Sequence, residues 1–217
     1  YSTDATDAFS IASGKTKDIY VQGFISNSTS SEKIDIGDIL IQSSGANLTL
    51  NLFSQAENKL KLERVKADSE TLTDNEDTSD YKPGEKVDFS VKVENLYSSS
   101  EDLKIEDIDV KVTISSIDDG DDIELETSSS FDLRDGNDKT VNFDFIIPYY
   151  AEEGTFDILI EVDGKDENGA SHFVTQKNGL VVDKRDDEVS ITRAELGNDE
   201  LQCIRTTTLD VQITNTG

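Results

Sequence analysis

Two clusters of oxygen donors are the first candidates for chemistry. Asp118, Asp119, Asp121 and Asp122 crowd the string DDGDD, and Asp163, Asp166 and Asn168 lie in DGKDENG. Calcium takes about six to eight oxygen ligands, and carboxylates gathered in a turn supply them. The four aspartates of the first cluster repel one another without a counter-ion. In the second, Gly169 permits a sharp turn, but the D-x-D-x-[DN]-G spacing and the bidentate Glu of a calcium loop are missing. Both clusters are therefore read as candidate calcium sites, with hydrated acidic turns as the plain alternative.

Other reactive groups are sparse. His172 is the only histidine, so a transition-metal site or a Ser-His-Asp triad would rest on it alone. It follows a turn at the start of a strand, a poor place for either, and a structural role is expected. No G-x-S-x-G, H-E-x-x-H or P-loop string occurs. Carboxylates abound, but nothing singles out a glycosidase pair, and 7% aromatics with no Trp argue against a sugar cleft. Catalysis is not expected. Asn27 (NST) and Asn47 (NLT) are glycosylation sequons.

The balance of charge narrows the partners. Asp and Glu number 47 against 20 Lys and Arg, a formal charge of −27. Such a surface repels phosphate backbones, which excludes nucleic acid. No apolar run approaches the length of a membrane-spanning helix. The first residue is Tyr rather than Met, and a processed or excised piece of something longer is expected.

Alternation of apolar and polar residues dominates the chain and must supply the elements that hold these groups. KVDFSVKVENL puts Val87, Phe89, Val91 and Val93 on one face. LKIEDIDVKVTI carries Leu103 and Ile105, then Ile108, Val110, Val112 and Ile114, with a change of phase at Glu106–Asp107 that predicts a bulge. KTVNFDFII, TFDILIEV and LDVQITN repeat the pattern, the last through Leu209, Val211 and Ile213. These are period-two strands with one wet face. Pro-Gly, Asp-Gly and Asn-Gly turns separate them. No helix is expected; the longest candidate, FSQAENKLKLERVKADSE, reads better as a strand through Leu60, Leu62 and Val65.

The chain also repeats itself. FSIASGKTKDIYVQGFI (9–25) aligns without gaps on FDLRDGNDKTVNFDFII (131–147), pairing Phe9 with Phe131, Gly14 with Gly136 and Lys17 with Lys139. VDFSVKVENL at Val87 aligns with TTLDVQITNT at Thr207, and LKLERV at Leu60 resembles VSITRA at Val189. The expected organisation is one complete module at 59–186, the second half of a preceding module at 1–58, and the opening strands of a following one at 187–217.

In order, the Pro-Gly turn at Lys82–Lys86, the strand ending in Asn95, the turn at Gly136, the strand ending in Ile147-Pro148 and the GTF strand at Gly154 resemble the modules of archaeal secreted and cell-surface repeat proteins. These are the Ig-like, CARDB-type and S-layer-associated repeats. The resemblance implies an all-β chain of tandem Ig-like antiparallel β-sandwich modules, one complete and two partial. It implies an extracellular, cell-surface setting in a stalk, S-layer-like layer or filament, as a rigid spacer and assembly unit without catalysis. It further implies that Cys203 pairs with a cysteine outside this sequence; the alternative is a buried free thiol. The competing functions are an adhesin-type module that grips carbohydrate or protein, with or without calcium, and an accessory domain of a secreted enzyme. The two half modules could complete one another between subunits by strand addition. Plain truncation of a longer array is the preferred expectation, because the pooled halves lack a counterpart of the LKIEDIDVKVTI strand.

Overall fold

The structure, a computed structural model, describes residues 9–18, 26, 28–43, 45–185, 188–197 and 207–215. Asn27, Cys203 and the strand expected over 19–25 lie outside the described residues. The described residues form β1 (Ile34–Gln42), β2 (Asn47–Ser54), β3 (Leu60–Ala67), β4 (Glu70–Leu72), β5 (Glu76–Asp77), β6 (Lys86–Asn95) and β7 (Ile105–Asp118). There follow β8 (Asp121–Glu126), β9 (Phe131–Leu133), β10 (Asp138–Ile146), β11 (Gly154–Asp166), β12 (Ser171–Val182), β13 (Val189–Leu196) and β14 (Leu209–Asn215). No helix occurs among them.

Two sheets enclose the core. One has the order β10-β6-β3-β4, the other β5-β12-β11-β7-β8, with β9 paired to β7. Because strand side chains alternate between faces, β6 turns Val87, Phe89, Val91 and Val93 inward from one sheet, and β11 turns Ile158, Ile160 and Val162 inward from the other. Phe89 stacks on Phe145 of β10 with ring centroids 5.9 Å apart. Every buried hydrophobic residue of this cluster falls between Leu60 and Val182. The hairpins β1–β2 and β13–β14 form two further sheets of their own.

The wet faces carry the acid. Five lysines each lie within salt-bridge reach of two carboxylates: Lys59, Lys86, Lys92, Lys104 and Lys111. Lys92 of β6, for example, reaches Glu63 at 2.6 Å on one side and Asp138 at 3.3 Å on the other. Such exposed pairs are individually weak, but their spacing interrupts the runs of like charge.

The bulge expected at Glu106–Asp107 is present. The register of β7 with β9 jumps from Ile105 to Ile108, and Asp107 takes φ 51°. Across the sheet, β11 skips Gly164 in its pairing with β7. A Cβ at Gly164 would stand 2.9 Å from both Ile105 and Ile108, so the bulge closes only over a glycine.

Two expectations are corrected. The sheets are not wholly antiparallel. β5 runs parallel to β12, and Tyr81 bridges Val182 in the same sense. After β4 the chain crosses from one sheet to the other, where the Asn178 side chain takes the carbonyls of Thr73 and Glu76. Gly179 leaves room there for Asp77. Secondly, Leu209, Val211 and Ile213 of β14 are exposed rather than inward. Their alternation is intact, but no second sheet covers them among the described residues.

Gly164→Ala is expected to destabilise the chain by about 1–3 kcal/mol through overpacking. Gly45→Ala, where a Cβ meets nothing within 4 Å, should lie within about 0.5 kcal/mol of the parent. Urea unfolding of the two variants checks both.

Candidate functional site

The acidic turns are built by backbone geometry. Asp119 and Gly120 take φ 53° and 94°, the paired positive values of a two-residue hairpin turn joining β7 to β8. Asp122 accepts the Ser116 N–H at 2.8 Å, and Asp118 accepts the Tyr150 hydroxyl. In the second cluster the pleat separates the donors. Asp163 is exposed and lies directly opposite Asp109 of β7, whereas Asp166 is buried. Although the residue is exposed, partial desolvation of its carboxyl against the sheet, then the Asp109 and Glu161 charges, raise the Asp163 carboxyl above the usual range. The structure therefore does not bring Asp163 and Asp166 together, and Asn168 is exposed. Among the described residues no group of three or more His, Cys, Asp or Glu is placed to hold a metal ion.

Asp166 belongs instead to a sealed cluster. Its Oδ1 accepts the N–H groups of Asn168 and Ala170, each at 2.9 Å, which shapes the turn from β11 to β12. Its Oδ2 accepts the Tyr97 hydroxyl at 2.5 Å and lies 3.4 Å from His172 Nε2. His172 Nδ1 accepts the Lys59 N–H at 3.3 Å, so the neutral ring keeps its proton on Nε2. The side chains of His172 and Asp166 are 1% and 2% exposed. All four carboxylate contacts come from this chain, and no face of the cluster is left for a substrate. Burial, opposed by Asp166, lowers the His172 pKa below 6.5. Burial also opposes ionisation of Asp166, but hydrogen bonds from Tyr97, Ala170, His172 and Asn168 outweigh it and hold its carboxyl below the usual range.

The cluster sits where the N-terminal hairpin joins the sandwich. Lys59 immediately precedes β3. Beside it Asn58 Nδ2 donates to the Phe173 carbonyl at 2.9 Å, and the Ser31 N–H donates to the Ser171 carbonyl at 2.8 Å. The Lys59 carbonyl in turn accepts the Leu96 N–H. Tyr97, Asp166 and His172 thus tie the linker before β3 to the β11–β12 turn. Sequence reasoning missed Tyr97, whose role has no local signal; it is 69 residues from Asp166.

Among the described residues, one turn and one strand pair outside the sandwich have the geometry of parts of it. At the first turn, Lys15 N–H donates to the Ala12 carbonyl at 3.0 Å, Gly14 takes φ 73°, and Lys17 Nζ lies 4.1 Å over the Phe9 ring. At 131–139 the same bond joins Asn137 to Arg134 at 3.0 Å, Gly136 takes φ 64°, and Lys139 lies 3.9 Å over Phe131. At the other end, β13 pairs with β14 as β3 pairs with β6. Val189↔Asn215 matches Leu60↔Asn95, and the register skips Thr192 as it skips Glu63. Leu62, half-buried against the core, and the core residues Val91 and Val93 correspond to Ile191, Val211 and Ile213, which are 66%, 44% and 66% exposed.

The β1–β2 hairpin also shows apolar residues to solvent. Its register sets Ile39, Ile41, Leu48, Leu50 and Leu52 on one face. Asn47, paired with Gln42, lies on the other face and is exposed. A remaining groove, lined by Asp102, Lys104, Asp132, Arg134, Asp135 and Glu167, is open and charged, without apolar walls.

The sealed cluster predicts acid sensitivity. The folded pKa of His172 is depressed, so both states are neutral well above pH 6.5. As pH falls below that value the unfolded histidine binds a proton and the folded one does not, so stability is lost down to the folded pKa. Urea midpoints from pH 7.5 to 5 should therefore drop more in the parent than in His172→Gln; equal slopes would remove His172 from the account.

No family model matches the chain, and no curated protein matches it. Solved structures are similar at low identity. The C-terminal domain of Wzt matches over 59% of this chain and 76% of that one, at 10% identity and a TM-score of 0.40. Spo0M, a sporulation control protein from Bacillus subtilis, matches over 74% and 69%, at 14% identity and a TM-score of 0.35. A family 123 glycoside hydrolase from Clostridium perfringens matches over 50% of this chain and 22% of that one, at 13% identity and a TM-score of 0.37. Likeness at this level carries no activity over to the chain.

Proposed function

We propose that the chain is a stretch of a tandem array of Ig-like β-sandwich modules, acting as a rigid spacer and assembly unit at a cell surface, without catalysis. One observation carries the reading. Each end of the chain repeats part of the central sandwich bond for bond: the turn at Gly14 repeats that at Gly136, and β13–β14 repeats the register and bulge of β3–β6. Independent segments would have no reason to share a bulge position and a cation–π pair at the same offsets. The tie between Lys59 and His172 supports the spacer part of the reading, because it fixes one junction against bending. The extracellular and surface placement rests on the motif order from Lys82 to Gly154. The acidic surface fits that placement by keeping neighbouring arrays apart.

Electron microscopy of the protein on its native surface tests the reading. Thin linear arrays are expected, with an axial repeat of about 40 Å for strands of this length. A protein that stays monomeric and binds glycans on an array would replace the spacer with an adhesin.

A further inference from the structure

We infer that His172 is an acid-operated latch: a proton taken at Nδ1 detaches the linker before β3 from the start of β12 and leaves the two-sheet core folded. The latch needs only the sandwich and its linker, whatever array the chain belongs to.

The donors and lone pairs around the ring decide where a proton can go. His172 is buried. Its Nε2 lies 3.4 Å from Asp166 Oδ2 and 3.3 Å from the Tyr97 hydroxyl oxygen. The Tyr97 hydrogen is committed to Asp166, so Nε2 faces two acceptors and carries the proton of the neutral ring. Nδ1 holds the remaining lone pair, and the Lys59 N–H donates to it. An added proton has no other ring nitrogen to occupy. Once on Nδ1 it sets N–H against N–H, and the Lys59 donor loses its acceptor.

Every element packed round the ring bears on that proton. The β11–β12 turn brings Asp166, whose charge attracts it, and the linker brings Lys59, whose ammonium opposes it. Glu57 of the linker and Glu101, beyond Tyr97, lie 3.0 and 3.6 Å from Lys59 Nζ and are paired with that ammonium. On β11 the residue opposite His172 is Gly164, and its neighbours Asp163 and Lys165 are exposed. Burial opposes the charge most strongly and outweighs Asp166. The closed latch therefore stays neutral, and protonation accompanies opening.

The opening is local. Besides the Lys59–His172 bond, the linker is held to the start of β12 by Asn58 Nδ2 on the Phe173 carbonyl, and the Ser31 N–H binds the Ser171 carbonyl. None of the three bonds belongs to a sheet ladder. The Lys59 carbonyl keeps the Leu96 N–H at 2.8 Å, and Leu60 stays paired with Asn95. The break thus falls at the Lys59 N–H, with β3 still in its sheet. Openings of this size need less free energy than global unfolding. In the open state the ring meets water and titrates near its ordinary 6.5. The open population then rises about tenfold for each pH unit below that value, until the closed ring itself titrates.

Amide hydrogen exchange of the full chain, followed by NMR from about pH 7.5 to about 5, gives the test, each rate being divided by the unstructured-chain rate at the same pH. The Lys59 and Ser31 N–H groups should exchange ahead of those of Val91 and Val162 at every pH. Their rates should respond little to low urea, since a local opening exposes little surface. Protection at Lys59 should fall about tenfold per pH unit below 6.5 in the parent. It should stay level in His172→Gln, because a glutamine amide can accept from Lys59 and donate to Asp166 but takes up no proton. Lys59 protection equal to that of Val91, with the same urea dependence, overturns the latch, since only global unfolding would then release the linker. Level protection in the parent, or an equal fall in His172→Gln, does the same. The ¹⁵N shift of the parent's Nδ1 supplies a check that needs no variant: its protonation while Lys59 keeps full protection also overturns the latch.

Discussion

A sheet with one apolar face is stable only when that face is covered, and every other feature of this chain follows from how the requirement is met. In the centre it is met internally: β6 and β11 turn valines and isoleucines towards one another and exclude water completely. The strands that fill this core alternate so strictly that their outer faces are free to carry almost any polar residue. That freedom is spent on acid, with lysines paired to carboxylates of their own and neighbouring strands. The charge is thus a property of surface positions that the core does not constrain.

The buried polar cluster meets a different need. A linker leaving a sandwich exposes backbone groups that must find partners. Here the Lys59 N–H finds the His172 ring, and the ring is oriented by an ionised Asp166 that has no donor site of its own to waste. Burying a carboxylate is costly unless its oxygens are satisfied, and four donors satisfy this one. The arrangement serves a junction: concealment from water lowers the His172 pKa, while the donors around Asp166 hold its carboxyl low against that same burial.

Much of the fold was legible because alternation and burial obey the same period. β6, β7, β10 and β11 were readable from their apolar residues, and the bulge at Asp107 from its change of phase. Of β12 only the start, at His172, was read, because its inward positions include His172, Gln176 and Asn178, which hide the alternation behind polar side chains. The crossing through β5 was equally hidden: Glu76 and Asp77 have no strand signature, and their parallel pairing depends on Asn178 and Gly179 a hundred residues away. The acidic clusters were read as donors gathered in space. For Asp163 and Asp166 that failed through the pleat, since an odd separation within a strand sends side chains to opposite faces. Tyr97 carried no local sign, and the partnership of Asp166 with His172 needed the turn to be drawn before it could be seen.

The linker clasp is not reproduced everywhere in the sequence. With Gly45-Ala46 laid on Gly169-Ala170, Gln42 stands where Asp166 would be and Leu48 where His172 would be. A junction built on β1–β2 would lack the charged anchor that stiffens the one at Lys59.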